Sequence, residues 1–529
     1  MSDASPWVPF RHRVFRGLWC AGAAVNLAIW MQTVGAAWIM TTLSPSALMV
    51  SLVQTAITLP VFLFALPGGV IADLVDRRKW LLYTQLVMFI AAAALCLLAY
   101  SDRLAAWSLL LLTFVLGTGS ALGMSAWMIA MVDVLPREQV PAAVSLNGIA
   151  TNAARALGPA LAGALIAYWS AASVFLVIAL CMFGVVAFIH SLKSSPPAGV
   201  LPPESFGAGV RSGLRYIRHT AVLSDALKQV FVFTSCASAL WALMPLVARD
   251  SLGMDAGGYG MLMGFLGFGA VIAAFSLTRF YRRYSLRVLI VTGTLSFATS
   301  TVVAAFAHNR VLVCATLMLA GAGWMAVNAT LSTVVQTYAA NWVRARVASV
   351  YLLMLMGSMA LGGAVWGALT EYLGLENSLL LSAVMLVLGL LLTRRGRVEL
   401  GNEADFAEAQ QTDRPLVASE IAHDDGPISV EISYQVTLAE RDDFLHTANT
   451  VGVFRRRNGA QNWRLYRDLA DPEHYIERFI VESWLDYLRQ QSRLTRADQS
   501  GEQRLSRYRR CGNDIRKYIC QEAGRTSRP

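Results

Sequence analysis

Arg155 is the first residue of this 529-residue chain whose type and position call for an explanation. It stands in Asn152-Ala153-Ala154-Arg155-Ala156-Leu157-Gly158-Pro159, near the middle of an apolar stretch long enough to cross a bilayer. A charge at that depth costs about 2.5–3.5 kcal/mol on insertion scales, so the guanidinium must face a polar interior rather than lipid. Two roles fit: attraction of an anionic or hydroxyl-rich solute, or a hydrogen-bonded brace to Asn152 or to carbonyls of a neighbouring helix. Other apolar stretches carry Asn26, Trp30, Gln32, Gln54, Asn147, Asn152, Trp324 and Asn328. Amides and aromatics of this kind can line a cavity for a bulky amphipathic molecule. Each can equally serve as packing glue between helices.

The acids lie elsewhere. Asp73, Asp76 and Asp133 fall at one end of the apolar stretches, and Asp102, Asp250, Asp255, Glu371 and Glu376 at or near the other. No carboxylate stands at mid-depth as a proton carrier, which leaves Asp133 as the best candidate. No Walker lysine motif suggests nucleotide hydrolysis. The seven cysteines show no CxxC or zinc spacing, so they read as reduced packing residues, and neither a metal nor a cofactor is expected. The chemistry on offer is binding and movement of a solute rather than catalysis.

Positioning those residues falls to a membrane body. Of the chain, 56% is hydrophobic and 15% charged, below the charge of a soluble domain. Stretches of spanning length begin near Val14, Ala47, Trp80, Leu104, Pro141, Ala171, Ala226, Gly257, Leu286, Val311, Val343 and Ser378, which predicts twelve transmembrane helices. They repeat: Gly117, Gly119, Ser145, Gly158 and Gly163 reappear as Gly321, Gly323, Ser349, Gly362 and Gly367 at one constant offset. Two equivalent six-helix bundles suit a transporter that rocks one half against the other. The odd-numbered connections carry only Arg103, Arg249 and Arg310, whereas Arg77-Arg78-Lys79 and Arg282-Arg283 lie on the even-numbered ones. By the positive-inside rule both termini are cytoplasmic, in a cell (inner) membrane. The net charge of +10 belongs to this body and fits orientation in a bilayer better than nucleic-acid binding.

The sequence divides into residues 1–193 and 226–395 as the two bundles, 194–225 as a cytoplasmic central loop, 396–427 as a flexible linker and 428–529 as an α+β domain. In the central loop Arg211, Arg215 and Arg218 share one helical face, as either a linker helix or a helix at the anionic membrane surface. The acidic linker is poor in large apolar residues. Ile428 to Val436 alternates as a half-buried strand, residues 439–457 look helical, strands follow at 459–468 and near 475–482, and a helix runs through Trp484, Tyr487 and Leu488. That order predicts a ferredoxin-like domain. His446, Asn462, Trp463 and His474 are its candidates for an oxygenase site, although no spacing supports a metal or a triad.

Two motifs tie the body to a known family. Gly69-Val70-Ile71-Ala72-Asp73-Leu74-Val75-Asp76-Arg77-Arg78-Lys79 resembles the loop motif of the major facilitator superfamily, with Asp76 where a glycine is usual and Leu74 where a base is usual. Gly158-Pro159 with Gly163 resembles the superfamily's antiporter signature in part. The resemblance implies a conformational latch: Gly69 admits a close helix, Asp73 caps span eleven, and Arg77, beside Arg78, pairs with Asp133. It also implies that span five packs on span eleven at Gly362, Gly363 and Gly367, and that the substrate is exported. Asp133-Val134-Leu135-Pro136-Arg137 is similar to the branch containing the enterobactin exporter. The tail, through Trp463 to Asp468, resembles the domain of antibiotic-biosynthesis-type monooxygenases, which implies a capacity for dimerisation. The expectation is a proton-coupled exporter of a siderophore, secondary metabolite or drug. The alternative is a membrane-tethered, cofactor-free monooxygenase.

Overall fold

The computed structural model describes residues 7–192, 206–401, 406, 422, 425–509 and 515–519. Within those ranges the side chains of Val70, Asp73, Leu74, Arg137 and residues 206–210 lie outside the description. The first six spans are α1 (Arg13–Leu43), α2 (Ala47–Leu74), α3 (Arg77–Tyr100), α4 (Ala106–Asp133), α5 (Val140–Tyr168) and α6 (Ala171–Ser191). A short helix, α7 (Phe206–Arg218), follows. The second six are α8 (Ala221–Leu246), α9 (Ala256–Arg283), α10 (Leu286–Phe306), α11 (Arg310–Thr337), α12 (Arg344–Leu373) and α13 (Leu375–Thr393). All twelve long helices are apolar enough to cross a bilayer, as the hydropathy predicted. Polar residues set several starts: Ser46 caps α2, Asp76 caps α3 through the amides of Arg78 and Lys79, and Asp255 caps α9 through Gly258. Asp76, the departure from the loop motif, is therefore a helix cap.

Contacts divide the chain into two units. One comprises Met1–Pro202, Leu227–Leu331 and Tyr351–Arg395, and the other Pro203–Ala226, Ser332–Val350 and Gly396–Pro529.

In the first unit the repeated glycines explain themselves. A side chain at Gly117 would strike Pro60 of α2, and one at Gly321 would strike Leu266 of α9. Gly119 meets α3 at Thr84 and Met88, while Gly323 meets α10 at Gly293. Gly158 lies against Trp30 of α1, and Gly362 against Ser235 and Ser238 of α8. Gly163 lies against Ala256 and Gly260 of α9, and Gly367 against Leu48 and Ser51 of α2. Each glycine and its repeat thus serve equivalent close approaches, where an added methyl group has no space. Ser145 and Ser349, the fifth pair, both donate to the carbonyl four residues back, at 3.0 and 2.9 Å.

The second unit holds a four-stranded antiparallel sheet in the order β2-β3-β1-β4. Its elements are β1 (Ile428–Gln435), α14 (Arg441–Asn458), β2 (Gln461–Arg467), β3 (His474–Val481), α15 (Trp484–Ser492), α16 (Arg496–Ser506) and β4 (Ile515–Ile519). This is the ferredoxin-like arrangement, completed by α16 and β4, for which the alternation pattern gave no sign. Val430, Ile432, Tyr434, Phe444, Val451 and Phe479 form the centre of its core.

The same unit includes α7, which packs against protein through Tyr216. Tyr216 is fully buried; its hydroxyl donates to the Tyr338 carbonyl at 3.2 Å and accepts from the Ala340 amide at 3.3 Å. Trp342 meets the Tyr216 ring edge-on, and Arg457 of α14 lies 5.0 Å above it. Arg346 donates to Ser212 at 2.8 Å.

Candidate functional site

Arg155 occupies the stretch of α5 that packs along α9. The Gly267 backbone comes so close that a Cβ there would lie 2.9 Å from the Arg155 carbonyl oxygen. The side chain turns towards α1, with the guanidinium carbon 5.3 Å from the centre of the Trp30 ring. That cation–π contact is worth about 0.5–2 kcal/mol. Among the described residues no carboxylate pairs with Arg155, and its buried Nε has no hydrogen-bond partner.

Aromatic rings continue the site across the two halves. Trp30 lies 6.4 Å from Trp241 of α8, and Trp241 lies 5.5 Å from Trp324 of α11. Trp324 is anchored by Phe233 and Phe297. Trp241 escaped the sequence analysis because one more aromatic residue in an apolar span carries no positional signal. Its indole N–H is buried without an acceptor among the described residues, as is the Asn328 side-chain Oδ1 without a donor. These two atoms and the Arg155 Nε are the kind of groups a polar ligand could satisfy.

The remaining candidates divide. Gln32 is directed away from this cluster: its amide donates to Thr113 of α4 at 3.1 Å, inside its own half. Asn26, Asn152 and Asn328 each donate to the carbonyl four residues back, at 2.9, 2.9 and 3.0 Å, which engages the amide N–H within its own helix. The Asn152 brace to Arg155 is therefore absent. Gln54 is half-buried beside Gly363, and Asn147 half-buried on α5.

The antiporter-like motif packs differently from what the resemblance implied. Gly158, Pro159 and Gly163 face α1 and α9, not α12. A Cβ on Gly260 would stand 2.6 Å from the Pro159 carbonyl oxygen and 2.8 Å from the Gly163 Cα. Gly363 and Gly367 of α12 approach α2 instead, and Gly362 approaches α8. Gly260 and Gly163 thus let the two backbones meet.

At the loop motif, Arg77 pairs with Asp133 as expected, joining the start of α3 to the end of α4. Both belong to the first half, so the pair does not by itself bridge the halves. Arg78 donates to the Ile189 carbonyl at 3.2 Å and also to the His190 carbonyl, covering the exposed carbonyl end of α6. The close approach is at Gly68, where a Cβ would lie 2.9 Å from the Leu122 backbone; Gly69 has ordinary room beside Ser125. The Asp73 side chain lies outside the described residues.

Further contacts join the halves at the other end. Glu371 of α12 accepts from Ser46 and from the Leu48 amide at 3.4 Å, at the start of α2. Arg249, held by Asp250 at 2.6 and 3.1 Å, donates to the Thr41 carbonyl at the end of α1. Trp38 stacks on Tyr259 with centroids 6.0 Å apart.

In the tail the oxygenase candidates do not converge. His446 is exposed on α14, and Asn462 is exposed on β2 with φ at 50°. Trp463 donates to Glu477 at 2.8 Å, whereas His474 lies 3.4 Å from Asp468. Glu477 instead centres a buried network: Tyr434 donates to it at 2.7 Å and Arg455 at 3.3 Å, with Glu502 on the other side of Arg455 at 2.5 Å. Burial alone would push the Arg455 guanidinium pKa down, but Glu502 and Glu477 more than reverse that, and the net shift is upward. The cavity behind Arg455 measures about 10 Å³, room for no more than about one water.

Twelve spans in two repeated halves, meeting around an unpaired arginine and three tryptophans, define a membrane transporter of the major facilitator fold. The chain belongs to the family described as transmembrane secretion effector, whose match runs over residues 4–526 and so includes the tail. It is 23% identical to the staphyloferrin A transporter of Staphylococcus aureus over 66% of this chain and 88% of that one. It is 25% identical to the multidrug efflux pump Tap of Mycobacterium bovis over 72% of this chain and 92% of that one. Among solved structures it is similar to the nucleoside transporter NupG: TM-score 0.59, 12% identity, 72% of this chain and 98% of that one.

Proposed function

We propose that this secondary transporter exports a small, anionic, amphipathic molecule, of the siderophore, secondary-metabolite or drug kind, by alternating access coupled to protons. The observation that carries the reading is Arg155. A guanidinium with no carboxylate among the described residues, set over Trp30 and beside the inter-half stack of Trp30, Trp241 and Trp324, offers positive charge and aromatic faces to one ligand. A structural arginine at this depth would be neutralised. Export is favoured by the likeness to an efflux pump.

In this reading both termini are cytoplasmic, so the Glu371, Arg249 and Trp38 contacts close the outer end. Rocking must break them while Asp73, Arg77, Arg78 and Asp133 rearrange at the inner end. Asp133 remains the candidate proton carrier. The test is efflux from cells expressing wild type or Arg155→Gln at equal surface levels, using catecholate siderophores and cationic dyes, with and without a protonophore. Protonophore-sensitive export of the anionic compounds, lost in Arg155→Gln, is the expected result. Equal export by the variant would remove Arg155 from substrate binding.

A further inference from the structure

Four arginines from distant parts of the sequence line one small cavity in the second unit. α7 contributes Arg211 and Arg215, one turn apart, and α15 with its C-cap contributes Arg489 and Arg493, again one turn apart. The cavity measures about 110 Å³ and is also bordered by Glu482 and Asp486. Both acids are engaged: Glu482 accepts from Gln461 at 2.6 Å, and Asp486 accepts from Ser483 at 3.0 Å and Arg489 at 3.4 Å. Four guanidiniums and two carboxylates line the cavity, with Arg489 paired to Asp486. Gly459, at φ 126°, ends α14 at the rim, and any side chain there would come within 3.4 Å of the Arg215 Nη2. His219 reports the same field: its pKa is pushed down by burial and then by Arg456, Arg218 and Arg215.

We propose that this cavity binds a small, multiply charged oxyanion of the phosphate type, held between Arg211 and Arg215 on one wall and Arg489 and Arg493 on the other. Planar guanidiniums in facing pairs match the tetrahedral oxygens of such a group and can hold it bidentately. The two walls belong to α7 and to the tail domain, and Arg493 also lies 4.3 Å over Trp342 of the Ser332–Val350 segment. An anion here ties these three pieces together and stabilises their association by mass action. The oxyanion could be a free phosphate compound or the phosphate of an anionic lipid headgroup, which share this chemistry.

The experiment uses the full-length protein in neutral detergent, titrated with sodium pyrophosphate at constant ionic strength. Tryptophan fluorescence and unfolding temperature are the readouts. A parallel arm places the protein in nanodiscs of phosphatidylcholine with and without phosphatidylglycerol. Wild type and Arg504→Gln, an exposed control outside the cavity, should show a saturable pyrophosphate response. Arg211→Gln and Arg489→Gln should each weaken it about tenfold, the loss of one charge-assisted hydrogen bond, and the double variant about a hundredfold. A response to phosphatidylglycerol alone, lost in the same variants, would support the site with a lipid as its source. No saturable response in either arm, or one that these variants leave unchanged, overturns the proposal. The two single variants keep it testable if the double variant does not fold.

Discussion

Arg155 in the spanning unit is half-buried and Arg455 and Arg457 in the tail are buried, and the protein treats their charges in opposite ways. Arg457 holds both oxygens of Asp498 at 2.7 Å, with the side chains 7% and 1% exposed. Arg455 is shared between Glu477 and Glu502. Arg155 has an aromatic ring and, among the described residues, no carboxylate. A buried charge that serves the fold is neutralised, because the alternative costs several kcal/mol. A charge left without a carboxylate at the seam between the halves fits the proposed role of Arg155 in holding a ligand.

The largest expected effect tests the tail. Asp498→Ala strands Arg457 and should lower the stability of the tail by about 3–5 kcal/mol, read as an early unfolding transition of the full-length protein in urea. Arg155→Met should do the reverse in kind. Unfolding should move little or become harder, since a costly charge leaves the span, while export of an anionic substrate falls about ten- to a hundredfold. If Arg155→Met unfolds the protein as readily as Asp498→Ala does, the contrast fails and Arg155 is structural.

Gly267→Ala sharpens the same point. Its Cβ would meet the Arg155 carbonyl oxygen at 2.9 Å and the Ala156 Cα at 3.2 Å, so α5 must shift. Overpacking of this kind costs about 1–3 kcal/mol and should reduce transport without altering the tail transition. Gly264→Ala is the control, because an added Cβ there would meet only the Ala160 Cβ, at 3.9 Å. Equal transport by the two variants would mean that the setting of Arg155 is loose.

These contrasts also show what could be read from the sequence. Spans, repeat and central arginine were legible because each rests on hydropathy or spacing along one strand of chain. The Arg77–Asp133 pair was legible because the family motif calls for an acid at the end of span four and Asp133 is the only one there. The pairing of α5 with α9 was not, since a glycine face says that something approaches closely but not which helix. The engaged amides of Asn26 and Asn152 were invisible for a related reason: the acceptor is a backbone carbonyl, which every residue has. The tail's buried charges were hidden by their abundance. Arg455-Arg456-Arg457 reads as a solvated run, yet two of the three are buried because Glu477, Glu502 and Asp498 come from strands and helices further on.

The smallest expected effect concerns a third kind of arginine. Arg77 and Asp133 are 35% and 51% exposed, so their attraction is screened and worth about 0.2–1 kcal/mol. Arg77→Gln should barely change unfolding and should alter transport only a few-fold, by shifting the balance between the two conformations. Asp133→Asn removes the same pair and should match it if the pair is all that matters. The two variants, compared in efflux with an imposed proton gradient, therefore separate a latch from a carrier. Matching losses that a charge-swapped Arg77→Asp, Asp133→Arg protein recovers would make the pair a conformational element. A much deeper loss in Asp133→Asn, not recovered by the swap and confined to gradient-driven transport, would give this exposed carboxylate the proton-carrying role that no acid at mid-depth is present to take.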